Sequence, residues 1–168
     1  HLSIRRQRQM CIRDRHYIDT HVRNLMKPGV ACTFSLWSFI PDKRHSRLGL
    51  WLYECLRDLH LSIQAIKRPE LCVRGMTFGF NTELGRLFGF RTDIRRGEDG
   101  SLALAMKPYG RLIFITSRKA RALTSNSTID ADGSLARSFG VRLLKALKGA
   151  TGLLYKKTTY KDKDSNLL

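Results

Sequence analysis

Residues 95–110, RRGEDGSLALAMKPYG, open with two arginines, place Glu98 and Asp99 between Gly97 and Gly100, and then turn apolar. This change of composition predicts a loop followed by a helix from about Glu98 to Lys107. Acids are favourable in a first turn because the free N–H groups there carry partial positive charge, worth about 0.3–1 kcal/mol each. That reason would apply to any helix start. Two adjacent acids do not share one helix face, however, so at least one is aimed toward a cleft. Gly97 and Gly100 leave open space beside the pair. Arg95 and Arg96, together with the helix end, would hold a carboxylate ionised, as a base must be.

Outward from this stretch, strands and helices alternate. RLIFIT (111–116) reads as a strand, and so does LCVRGMTFGF (71–80), whose glycines admit another backbone or a ligand. NTELGRLFGF (81–90) reads as a short helix capped by Asn81 and ended near Gly89. VACTFSLWSF (30–39) is β-branched and aromatic, which predicts a buried strand, with Trp37 in the core or stacked on a ligand ring. HYIDTHVRNLMKPG (16–29) is a helix with Tyr17, Ile18, Val22, Leu25 and Met26 on one stripe, stopped by Pro28 and Gly29. From Ser46, a candidate N-cap, to about Ile66, Leu48, Trp51, Leu52, Cys55, Leu59 and Ile63 recur at helical spacing and make an apolar face. The alternation favours a layered α/β domain.

The 168 residues carry 31 Lys and Arg against 14 Asp and Glu, a formal charge of +17. Such a balance favours anionic partners and says little about fold. No stretch approaches the roughly 20 apolar residues of a membrane span, and no secretory signal is expected at the arginine-rich start. Cys11, Cys32, Cys55 and Cys72 form no CxxC pair, which fits buried reduced thiols and the cytosol. His21, His45 and His60 are isolated, so none has the clustered partners of a metal ligand.

Residues 1–15, HLSIRRQRQMCIRDR, have no apolar period, cap or turn logic. MCIRDR resembles the translation of a sequencing adapter, and 1–15 are read as a disordered artefact; the other reading is a basic arm that binds phosphates. At the far end, 133–168 combine a basic amphipathic helix with a charged tail. Its 133–148 stretch, with Leu135, Phe139, Leu143 and Leu147 on one side, packs on the core or lies on an anionic membrane.

From His16 onward the chain resembles the C-terminal half of a family 2 glycosyltransferase of the GT-A type. HYIDTHVRNLMKPGVACTFSLW stands where such enzymes follow a metal-binding Asp-x-Asp with a helix. RGMTFGFNTEL matches the Gly-rich segment that admits the acceptor, Gly97-Glu98-Asp99 matches the acidic pair heading the next helix, and YGRLIFITSRKA matches the strand after it. The resemblance implies that 16–132 form the acceptor-side part of the domain, an incomplete GT-A sheet with flanking helices. It makes Asp99 the general base and Glu98 the residue that orients it. Gly75, Gly79 and Asn81 would line the acceptor loop, with Gly97 at the substrate-binding turn and Arg74 and Arg96 near donor phosphates or an anionic acceptor.

The same resemblance implies a nucleotide-sugar donor, a sugar or lipid-linked acceptor, and polysaccharide or glycolipid synthesis in the cytoplasm or on the inner membrane face. It also implies a divalent metal, Mg or Mn, in the full-length enzyme. This chain lacks the expected ligands: Asp130 and Asp132 lie on the wrong side of the acidic pair, and Asp162 and Asp164 lie in the tail. The chain by itself is therefore expected to be inactive. Two other classes stand beside this one. A basic nucleic-acid-binding module would need basic residues interleaved with exposed aromatics, and here they are dispersed. A methyltransferase fragment would account for LMKPGVACTFSLW but not for the acidic pair.

Overall fold

Pro28 and Gly29 end helix α1 (Arg15–Leu25) and turn the chain directly into strand β1 (Val30–Ser35), which is buried along its whole length. The computed structural model describes residues 15–42, 45–94 and 97–126, with Ile129, Arg137 and Gly140 beyond them. Of the adapter-like segment 1–15 only Arg15, which opens α1, is described, and nearly all of 133–168 lies outside the described residues.

The elements after β1 are strand β2 (Trp37–Phe39), helix α2 (Arg47–Lys67), strand β3 (Phe78–Phe80), helix α3 (Thr82–Phe88), helix α4 (Glu98–Met106), strand β4 (Arg111–Ile115) and strand β5 (Ala122–Thr124). The chain is thus mixed α/β with a small mixed sheet. β1 lies between β3, antiparallel, and β4, parallel, while β2 and β5 form a separate parallel pair. A parallel neighbour requires a crossover, and the chain from α2 to α4 supplies it.

Side-chain alternation in β1 sorts the two faces of the sheet. Cys32 and Phe34, with Leu36 beyond the strand, enter one cluster with Leu61 of α2 and Leu102 and Met106 of α4. Thr33 faces the other way, where its hydroxyl is 2.9 Å from Nδ1 of His21 on α1. Burial pushes the thiols of Cys32 and Cys72 up to about 12, so both behave as apolar groups.

The observed elements depart from the expected ones in four places. VACTFSLWSF is two strands, because past Leu36 the backbone changes partner from β4 to β5. LCVRGMTFGF is mostly turn: Pro69, with its fixed φ and no N–H, starts one 3-10 turn (Pro69–Cys72), a second (Gly75–Thr77) follows, and only Phe78–Phe80 is strand. On α1 the buried edge is Tyr17 and His21, and Ile18 and Val22 face outward, as does Met26 just past its end.

The fourth departure is the largest. Helix α2 begins at Ser46 as expected, with the Ser46 hydroxyl accepting from the Gly49 N–H at 3.3 Å. Its apolar face is turned out, however: Leu48 and Ile66 are 72% and 80% exposed, and Trp51, Leu52, Leu59 and Ile63 are exposed with them. The polar side packs inward. Arg57 pairs with Asp58 at 2.7 Å, Arg121 reaches Asp58 at 2.6 Å, and Glu54 accepts the Phe39 N–H at 2.7 Å. The Arg57 guanidinium lies 4.3 Å from the centre of the Trp37 ring and donates to the Trp37 carbonyl. Among the described residues no helix is long and apolar enough to cross a membrane.

Candidate functional site

The entry to α4 is built by Gly97, whose φ of 87° lies in the left-handed region that glycine adopts without strain. The chain therefore turns abruptly into the helix. The Ser101 N–H donates to the Gly97 carbonyl at 2.8 Å, and the Ser101 hydroxyl donates to the Glu98 carbonyl at 2.8 Å. No side chain caps this end. Glu98 and Asp99 instead supply negative charge beside the free N–H groups of the first turn. Beyond them Gly100, Ser101, Leu102, Ala103 and Met106 are buried, so the helix is anchored in the core.

Asp99 is half-buried, and it meets the turn at Gly75. A Cβ placed on Gly75 would stand 2.8 Å from Oδ2 and 3.0 Å from Oδ1 of Asp99. The Gly75 N–H donates a hydrogen bond to the same carboxylate. A side chain at position 75 would press on this carboxylate and turn it out of its present place. Two residues proposed for the site from separate stretches of sequence thus come into contact.

Burial raises the Asp99 pKa above its ordinary value, the neighbouring Glu98 charge raises it further, and the Gly75 N–H and the Arg74 charge pull against them. The sequence pointed the other way, toward arginines and a helix end holding the group ionised. Arg95 and Arg96 lie outside the described residues, and among the described neighbours desolvation outweighs attraction. The expected open space at Gly100 is filled as well, since that glycine is buried.

The other candidates separate. Gly97 and Glu98 lie beside Asp99. Arg74 is near enough to act on Asp99, yet its guanidinium donates to the Val73 and Leu71 carbonyls at 2.9 and 3.2 Å and so braces the turn. Gly79 faces α1, where an added Cβ would meet Thr33 Oγ1 at 3.1 Å and His21 Nδ1 at 3.4 Å. Asn81 caps α3, its side-chain oxygen accepting from the Glu83 and Leu84 N–H groups at 2.9 and 3.3 Å. The alternation of β3 explains the split: Phe78 and Phe80 pack against the core, and Gly79 necessarily takes the opposite face.

Near the far end of α4 stands a pair that sequence reasoning missed. Glu70, 2% exposed, accepts from Lys107 Nζ at 3.0 Å. No local pattern announces it, because the partners sit on a turn and a helix end far apart in the chain. His21 is engaged with Thr33, and His45 lies 3.0 Å from Asp42, whose carboxyl is held down at about 2 by hydrogen bonds from Asn126 and His45. Among the described residues no three His, Cys, Asp or Glu side chains gather as metal ligands would. Compared with known proteins, the chain matches no protein family, no curated protein and no solved structure.

Proposed function

We propose that this chain is the acceptor-side part of an inverting glycosyltransferase of GT-A type, resembling family 2. It would move a sugar from a nucleotide-sugar donor to a hydroxyl acceptor in polysaccharide or glycolipid synthesis. The observation that carries this reading is the contact between Asp99, at the head of α4, and the glycine turn at Gly75. The reading sets the acceptor hydroxyl beside that turn. Asp99 takes its proton as the oxygen attacks the anomeric carbon. The bond from that carbon to the donor phosphate breaks, and the nucleoside diphosphate leaves with the electron pair on the opposite side, so the configuration inverts. Raised proton affinity makes Asp99 a stronger base than an ordinary aspartate wherever it is ionised. Glu98 contributes through its charge, and Gly75 through its missing side chain.

The reading leaves Gly79 and Asn81 with structural roles on α1 and α3. The described residues offer no ligand set for the divalent metal that the resemblance implies. Its ligands would come from outside them. The test is sugar transfer by an enzyme that joins these residues to an upstream nucleotide-binding half. Asp99→Asn is expected to lower the transfer rate by about 10²–10⁴-fold while donor affinity stays unchanged. Transfer at the unmodified rate in that variant would withdraw the assignment.

A further inference from the structure

We propose that the outer face of α2 is a membrane-interface surface that seats on anionic lipid. The helix is mounted with its polar side inward. Glu54, Arg57 and Asp58 are tied to Trp37, Phe39 and Arg121, and Leu50, Tyr53 and Leu61 are buried beside them. This fixes the rotation of the helix and leaves Leu48, Trp51, Leu52, Leu59, Ile63 and Ile66 exposed. At about 100° per residue these six fall within an arc of roughly 120°, one continuous stripe along the full length of the helix. An apolar stripe of this extent on a folded surface marks an interaction site.

Charge identifies the occupant. Both acids of α2 are turned inward into ion pairs. The exposed charged residues at the two ends of the stripe, Arg47 and Lys67, are both cationic, with Arg68 just beyond. An apolar stripe with an exposed cation at each end complements an anionic lipid surface. A second copy of the chain would bring these cationic helix ends together, which opposes pairing through this face. Trp51 suits the boundary layer, where an aromatic ring has its apolar body in the acyl region and its N–H toward water. The helix lies on such a surface without crossing it, because Glu54, Arg57 and Asp58 occupy its middle.

The experiment uses the whole 168-residue chain and co-sedimentation with vesicles of phosphatidylcholine, alone or mixed with phosphatidylglycerol. The unmodified chain is expected to sediment with the anionic vesicles and much less with the neutral ones, with a blue shift of indole emission that Trp51→Phe removes. Leu52→Glu combined with Ile63→Glu should weaken sedimentation by at least about tenfold with an unchanged circular dichroism spectrum. Leu143→Glu combined with Leu147→Glu, in the 133–148 stretch, is the comparison variant. The proposal is overturned if the unmodified chain ignores anionic vesicles, or if only the 133–148 variant loses binding. It is also overturned if the α2 variant unfolds, since its face is then covered by the chain itself, or if that variant instead dissociates a dimer in sedimentation velocity.

Discussion

At Gly75 a hydrogen in place of a methyl group lets a backbone N–H reach the carboxylate of Asp99. That carboxylate is held where its charge is poorly solvated, and the consequence for stability has a definite sign. The folded protein binds the Asp99 proton more tightly than the unfolded chain does, so this group favours folding fully below the ordinary value of 3.8. The contribution is lost as pH rises through the folded value. Asp99→Asn carries no charge at any pH. It is therefore expected to be more stable than the unmodified chain at neutral pH, with the difference closing in acid; thermal melts across the pH range would show it. A variant less stable at neutral pH would mean that the carboxylate is a structural ion. Gly75 and Asp99 were each legible in the sequence as chemical types, a glycine turn and an acidic helix head. Their meeting was not, because it depends on how the crossover folds back. Gly79 and Asn81 read as equally good candidates; strand alternation turns Gly79 toward α1, and Asn81 caps its helix as its local signal said.

Helix α2 shows the same limit one scale up. Its start, its Ser46 cap and its length were legible, since caps and apolar period are local signals. Which side faces inward was not, because the deciding partners, Trp37, Phe39 and Arg121, come from β2 and from the chain just before β5. Burial pulls the Arg57 guanidinium below its ordinary value while Asp58 and Glu54 act to hold its charge. Removing one partner of such a network leaves uncompensated charge in a poorly solvated place. Arg57→Ala is expected to destabilise the fold by about 3–5 kcal/mol, and the exposed Leu52→Ser by no more than about 0.5 kcal/mol. Urea unfolding midpoints would separate them. The reverse order, with the leucine costly and the arginine free, would show that the helix is rotated.

For the whole molecule, alternating strands and helices gave the α/β class, and the small mixed sheet agrees with it. The order β3-β1-β4, the transfer of the chain from β1 to the β2–β5 pair, and the turns at 69–77 rest on long-range pairing and had no local signature. That topology brings the turn at Gly75 against the head of α4. The central claim is that this junction holds Asp99 as a carboxylate with raised proton affinity, ready to act as a base. The most direct measurement is the carbon-13 titration of the Asp99 carboxyl group in the 168-residue chain. The account predicts a midpoint above the ordinary 3.8, moved downward by Glu98→Gln. A midpoint at or below 3.8, or one indifferent to Glu98, would contradict it.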